Sequence, residues 1–359
     1  MTYYHSRYTH QKKKNNFKKF VLFFIAILIA FALAAGYYLY RVIYSPNTWT
    51  PSGKPVAVNV PTGANYNVLK TILYQNGLII HRKNFEWVAQ KKHLDRLIKP
   101  GHYLIKNGMS TLDLVNMLRA GNQTPVTVTF NNVRDIYRLA AIVSKQIEAD
   151  SASIVQVVSD SAFLHRLGLN KTTAATIFIP NTYEFWWNTD AEAFVSRMVQ
   201  EYYKFWTDDK KEKAKQAGLT KTEVSILASI VEKETNKNDE KPMIAGVYIN
   251  RLKKGWRLQA DPTLVYALND YSIKRVLNKY KLIDSPYNTY KHLGLPPGPI
   301  CIPSIASINA VLNYNHDNYL YFCAKDDFSG YHVFAKTNRQ HVKNAKKYRK
   351  ALNKMNIKH

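Results

Sequence analysis

The sequence predicts an α+β protein carried by a single N-terminal transmembrane helix. Phe20–Tyr40 is an uninterrupted uncharged run, long enough to cross a bilayer as a helix. Beyond it, capped segments with apolar residues at helical spacing dominate, and short β-type stretches lie between them. The 359 residues suffice for a large core and two or three domains.

Taken in order, residues 1–19 form a basic cytoplasmic tail containing Arg7, Lys12, Lys13, Lys14, Lys18 and Lys19. A lysine-rich flank ahead of an apolar run keeps the N-terminus inside, so everything after Arg41 lies outside the membrane. Tyr37, Tyr38 and Tyr40 supply an interfacial belt at the far end of the 20–40 helix. A cleaved signal peptide with Ala34-Ala35-Gly36 as cleavage site is the competing reading. The long apolar core and its aromatic end favour a retained anchor. Residues 41–55, rich in Pro, Ser, Thr and Gly from Ser45 onward, read as a linker.

Residues 56–124 read as a compact mixed module. Ala57–Val60 is a strand, Asn65–Gly77 and Asn84–Gln90 are helices, His102–Ile105 is a strand, and Ser110 with Asp113 caps a helix through Leu118. In the intermediate part, residues 125–219, Pro125–Phe130 is a strand, and helices follow around Val133–Ala149 and Ala152–Ser159. The aromatic stretch Ile177–Trp187 fills a core by default, although such rings also stack on sugars. Asp190–Trp206 and Asp208–Gly218 are helical.

The region 220–359 is organised around a helix over Thr220–Asn236. Thr220 and Glu223 form a capping box. At about 100° per residue, Leu227, Ile230, Val231 and Glu234 share one side, with Glu232 opposite, beside Lys221, Ser225 and Ser229. Glu232 therefore reads as solvated, whereas Glu234 extends the apolar stripe. A carboxyl there, in the last helical turn, is disfavoured as an anion by burial and by the macrodipole. Both raise its pKa, as a general acid working near neutrality requires. A structural ion pair is the alternative role.

Downstream, Pro242 opens a helix ended by Gly255, and Gly255–Ala260 reads as a short strand. Asp261-Pro262 reads as an N-cap with proline at the first position, starting Thr263–Leu268. Asn288–His292 leads into the rigid loop Gly294–Pro299. Helix Ser304–Leu312, strands Tyr319–Cys323 and His332–Phe334, and a basic helix complete the chain.

Lys and Arg number 51 against 25 Asp and Glu, a formal charge of +26. Such a balance suits nucleic acid, an anionic membrane surface or an acidic polymer. Outside the membrane nucleic acid is not expected as a partner, which leaves an anionic wall polymer or lipid headgroups. A second basic cluster, Lys336, Arg339, Lys343, Lys346, Lys347, Arg349, Lys350 and Lys358, contains no acid. Cys301 and Cys323 show no metal-ligand spacing and read as buried free thiols. No cofactor or metal is expected.

Several segments in register resemble the endolytic murein transglycosylases, the MltG or YceG-like family. They are Leu227–Thr235 with its Glu-Lys-Glu-Thr element, Ala245–Leu252, Arg257–Thr263, Tyr287–Tyr290, Gly294–Ile300, and Gly330–Phe334 followed by Thr337 and His341. Phe178–Tyr183 resembles the family's Phe-Pro-Asp-Thr-Tyr element. Order and spacing agree over roughly residues 20–350.

The resemblance implies a single-pass anchor, a LysM-like subdomain over 56–124, and an extracytoplasmic YceG-like catalytic domain. It implies cleavage of MurNAc–GlcNAc β-1,4 bonds in nascent peptidoglycan, leaving 1,6-anhydro-MurNAc ends. The second glutamate of Glu-Lys-Glu-Thr, the family's essential acid, maps onto Glu234. For supporting roles, Asn288 and Tyr290 are candidates to donate hydrogen bonds to the N-acetyl group or to developing charge. Gln259, Asp261 and Thr263 are candidates to line the cleft, and Pro297 and Gly298 to form its rim. His332 and His341 are expected to pack the last strand and helix. Implied partners are glycan strands, the membrane, and the synthases and division proteins that make and place those strands. A hydrolase of another extracellular polysaccharide and a non-catalytic wall-binding scaffold stay open beside this reading. Asn181 stands where the family usually has aspartate, Gln340 where glutamate is common, and Asn313-Tyr314 where Asn-Pro is usual.

Overall fold

The computed structural model describes Met1, residues 16–273 and residues 276–354. The basic residues Arg7, Lys12, Lys13, Lys14 and Lys358 lie outside the described residues. The chain divides into two compact units, Met1–Thr124 and Pro125–His359.

In the first unit, α1 (Asn16–Tyr44) is uncharged from Phe20 to Tyr40, and its most apolar window reaches a mean hydropathy of 2.6, enough for a membrane span. Its last turn is not free, because Val42 enters the unit's hydrophobic core. Residues 45–50, expected as a linker, are stitched into the fold. Asn47 donates through Nδ2 to Thr111 Oγ1 at 3.0 Å and accepts from the His81 backbone N–H at 2.6 Å. Thr48 donates its hydroxyl to the Lys106 carbonyl at 2.7 Å and accepts from Met109 N–H at 2.7 Å. The polar residues that look like linker chemistry thus satisfy buried backbone groups.

β1 (Val56–Val60) pairs antiparallel with β2 (Gly101–Ile105), Val56 opposite Ile105. Helices α2 (Tyr66–Gln75), α3 (Arg82–Lys91) and α4 (Thr111–Ala120) complete the unit. Asn65 and Ser110 cap α2 and α4 with their side chains. Val58, Val60, Leu69, Leu73, Phe85, Tyr103, Ile105 and Leu114 share the core.

In the second unit, β3 (Val126–Phe130) pairs antiparallel with β4 (Asn181–Phe185), Val126 opposite Phe185. Between them lie α5 (Ile136–Val143), α6 (Ser151–Ser159) and α7 (Ser161–Arg166). The helix expected over 133–149 is shorter at both ends. Asp135 caps it by accepting from Arg138 N–H at 2.7 Å, and Val133 instead offers its carbonyl to Ile302 N–H at 2.9 Å.

Next come α8 (Ala191–Phe205), α9 (Asp208–Ala217), α10 (Lys221–Glu234), α11 (Lys241–Lys253), α12 (Asp261–Leu268) and α13 (Ile305–Leu312). The antiparallel pair β5 (Tyr321–Ala324) and β6 (His332–Ala335) and the basic α14 (Asn338–Lys354) end the unit. Residues 125–219 and 220–359 are interleaved: Ile302 joins the core around Phe130, Phe178 and Phe194, while Ile179, Tyr202 and Trp206 join the core around α10.

α10 packs against α11 and α13. Gly246 allows the close approach on α11, since a Cβ there would stand 2.5 Å from the Asn315 carbonyl oxygen. The strand expected over 255–260 does not form. That segment is irregular, and α13 brings the loop before it, Gly294–Ile300, back onto α10 through Ile300 N–H, which donates to Ser229 Oγ at 3.0 Å.

Candidate active site

α10 begins at the capping box of Thr220 and Glu223 and ends at Glu234, with Thr235 extended beyond it. The helix is buried nearly all round, so its serine face does not meet water: Ser225 is 1% and Ser229 0% exposed. This overturns the reading of Glu232 as solvated. Its Oε2 accepts from Lys241 Nζ at 3.2 Å, from Ser304 Oγ at 2.5 Å, from Ser304 N–H at 3.3 Å and from the Ser307 hydroxyl. Burial alone would raise its pKa, but these hydrogen bonds and the Lys241 charge hold it below the usual carboxylate range. Glu232 is a paired structural anion.

Glu234 is in the opposite situation. The residue keeps some exposed surface, yet its carboxyl is enclosed by protein. Burial is the largest cause pushing its pKa up to about 7; the Tyr248 hydrogen bond and Arg251 oppose the rise, and the Asp261 charge adds to it. Tyr248 on α11 donates its hydroxyl to Glu234 Oε1. That phenol is fully buried and its own pKa is raised well above the ordinary value, by burial first and then by the Glu234 charge, so it stays a donor. Arg251, one turn further along α11, donates from Nε to the Leu320 carbonyl at 2.8 Å and also to the Leu258 carbonyl. Its guanidinium lies 6.0 Å from the centre of the Tyr248 ring.

Tyr248 and Arg251 were not among the residues expected at the site. Tyr248 reads in the sequence as one more member of an apolar stripe. The signal that marks it is a hydroxyl that needs a partner at a position this deep.

Of the expected residues, Asp261 and Tyr290 join Glu234. Asp261 is not an N-cap: it is the first residue of α12, Ala260 stands at the cap without a side-chain bond, and its Oδ1 accepts the Tyr290 hydroxyl. The Tyr290 pKa is raised by burial, by that hydrogen bond and by the charges of Asp261 and Glu234.

The others have structural positions. Asn288 is fully buried; it donates to the carbonyls of Lys281 at 3.0 Å and Ile283 at 2.8 Å and accepts from Tyr290 N–H at 3.0 Å. Its amide is used up in forming the turn that presents Tyr290. Thr263 is buried, donating to the Ala260 carbonyl at 2.7 Å and meeting Thr289 Oγ1 at 2.9 Å. Gln259 is exposed, in the left-handed region at φ 52°, with its N–H donated to the Thr289 carbonyl. The Pro297 carbonyl accepts Thr172 Oγ1 at 3.1 Å, and a Cβ on Gly298 would sit 2.1 Å from the Thr172 carbonyl oxygen. These two residues are locked to the 170–173 turn.

His332 contacts Glu240 through Nδ1 at 2.8 Å and its own N–H, and His341 stacks on Tyr321. Both cysteines are free; Cys301 is buried, its thiol pushed up to about 12 by burial, while Cys323 is only half-buried.

The fold thus gathers one enclosed carboxyl at a helix end, with a buried phenol bonded to it and a guanidinium beside that phenol. A sequence profile of the YceG-like family matches residues 58–347, and the chain belongs to that family. It is 28% identical over 334 residues to the endolytic murein transglycosylase of Bacillus subtilis (strain 168), across 88% of this chain and 91% of that protein. It is 29% identical over 369 residues to the endolytic murein transglycosylase of Streptococcus pneumoniae serotype 2 (strain D39 / NCTC 7466), across 91% of this chain but 64% of that protein. Its fold is similar to the crystal structure of a putative YceG-like protein from Listeria monocytogenes, with a TM-score of 0.55 and 26% identity, over 81% of this chain and 99% of that one.

Proposed function

We propose that this chain is a membrane-anchored lytic transglycosylase that cleaves MurNAc–GlcNAc β-1,4 bonds within nascent peptidoglycan strands, leaves 1,6-anhydro-MurNAc ends and so terminates strand elongation. The observation that carries the reading is Glu234, an enclosed carboxyl with a pKa of about 7, in a chain whose relatives are named endolytic murein transglycosylases.

The reaction runs as two proton transfers on one group. Protonated Glu234 gives its proton to the glycosidic oxygen as the bond from C1 breaks, and the GlcNAc side leaves as an alcohol. The C6 hydroxyl oxygen of the same MurNAc then bonds to C1, and its proton passes to the Glu234 carboxylate. The acid is restored, and water is not consumed. Tyr248 stabilises the transient carboxylate by hydrogen bonding, and Arg251 does so by charge. Asp261 favours the protonated form with which the cycle starts.

A second reading rests on the same Asp261. A second carboxylate close enough to act on Glu234 is what a hydrolysing glycosidase uses as base or nucleophile. Mass spectrometry of digested murein decides between them. Anhydro ends made by the wild type and lost in Glu234→Gln are expected; reducing ends alone would exclude the lyase route.

In this reading α1 crosses the cytoplasmic membrane with its N-terminus inside. Residues 56–124 act as a LysM-like module beside it, and the chain works alongside the synthases and division proteins that supply strands. The apolar Phe17–Tyr44 helix supports the anchor.

A further inference from the structure

Residues 255–260 form no strand, yet they are held firmly. Trp256 N–H donates to the Arg251 carbonyl at 2.8 Å, the Arg251 guanidinium donates back to the Leu258 carbonyl, and Ala260 N–H donates to Thr289 Oγ1 at 3.0 Å. Leu258 and Ala260 are buried by this arrangement, and Trp256 is left 40% exposed.

The indole is supported from beneath. It meets Tyr321 edge to face, with ring centres 6.0 Å apart and planes at 65°. Tyr321 in turn stacks on His341 at 5.3 Å and lies 5.8 Å from the Arg251 guanidinium. Two routes connect this ring to the acid. One passes through Arg251 to Tyr248, whose hydroxyl holds Glu234. The other follows the chain to Asp261, whose charge acts on Glu234.

We propose that Trp256 is a sugar-binding platform, stacking its indole on the apolar C–H face of a pyranose of the bound glycan strand. An indole has the right character, being a flat apolar surface with a polar edge. Because Tyr321 and the pinned backbone already fix it, little conformational freedom remains to be lost on binding. The neighbouring Arg251 couples occupancy of the platform to the groups that position Glu234. The proposal deepens the transglycosylase reading and rests on it.

The test uses the full chain carrying Glu234→Gln, which binds without turnover, and uncrosslinked glycan strands stripped of their peptides, followed by titration calorimetry. Adding Trp256→Leu removes the flat face and is expected to weaken binding roughly five- to tenfold. Trp256→Phe retains a ring and is expected to bind within about twofold of the parent. Should the leucine variant melt early, Trp256→Gln, suited to an exposed position, is read in its place. Equal affinity of parent and ring-less variant overturns the platform and leaves the reaction standing. Failure of the parent to bind any glycan strand overturns both.

Discussion

Glu234 is costly to ionise in the folded chain, and this sets its pH behaviour. Its pKa rises from 4.5 to about 7 on folding. Between those values the folded state keeps a proton that the unfolded chain releases, so its contribution to stability falls as pH rises through that window. Glu234→Gln should therefore be more stable than wild type at pH 8, by about 1–3 kcal/mol, with the difference gone at pH 4; urea unfolding at the two pH values measures this. The same variant should lose activity by roughly 10²-fold or more. In wild type, kcat/KM should decline above pH about 7, where the donor has lost its proton. Tyr248→Phe removes a hydrogen bond that favours the anion, so the alkaline limb of the pH–rate profile should move to higher pH. A limb that stays put would show that Tyr248 does not tune the acid.

Between elements, the Glu232 carboxylate joins α10 to Lys241 at the start of α11 and to Ser304, the N-cap of α13. Glu232→Ala would strand the Lys241 ammonium, which is 3% exposed, and should cost about 3–5 kcal/mol, readable as a lower denaturation midpoint. That contact also shows where sequence reasoning stops. Capped helices were legible because their signals are local: the Thr220–Glu223 box, Ser110 and Ser304 all cap as their residue types suggest. The enclosed position of the Glu234 carboxyl was legible because its helical stripe is apolar. Glu232 was misread because a helical projection presumes one whole face toward water, and α10 is buried nearly all round. β4 was hidden in an aromatic run whose partner, β3, lies some fifty residues upstream, a pairing that no local pattern records. The substrate roles expected for Asn288 and Thr263 illustrate the same limit from the other side. A buried amide or hydroxyl at a motif position serves the backbone as readily as a ligand, and only the partners distinguish the two. Asn288→Ala should thus act through the turn, lowering stability by about 1–3 kcal/mol and displacing Tyr290.

For the molecule as a whole, removal of residues 1–40 should release the protein from membranes into the soluble fraction, while cleavage of dissolved glycan strands persists. Continued membrane association of the shortened chain would argue against α1 as the anchor. The way α1 ends has a further effect. Val42 is set in the hydrophobic interior, and Asn47 and Thr48 are fastened to the chain around Lys106–Thr111. With α1 across the membrane, as proposed, it would act as a stake, not a leash: no slack would separate the bilayer from the first unit, whose height above the lipid would be built in.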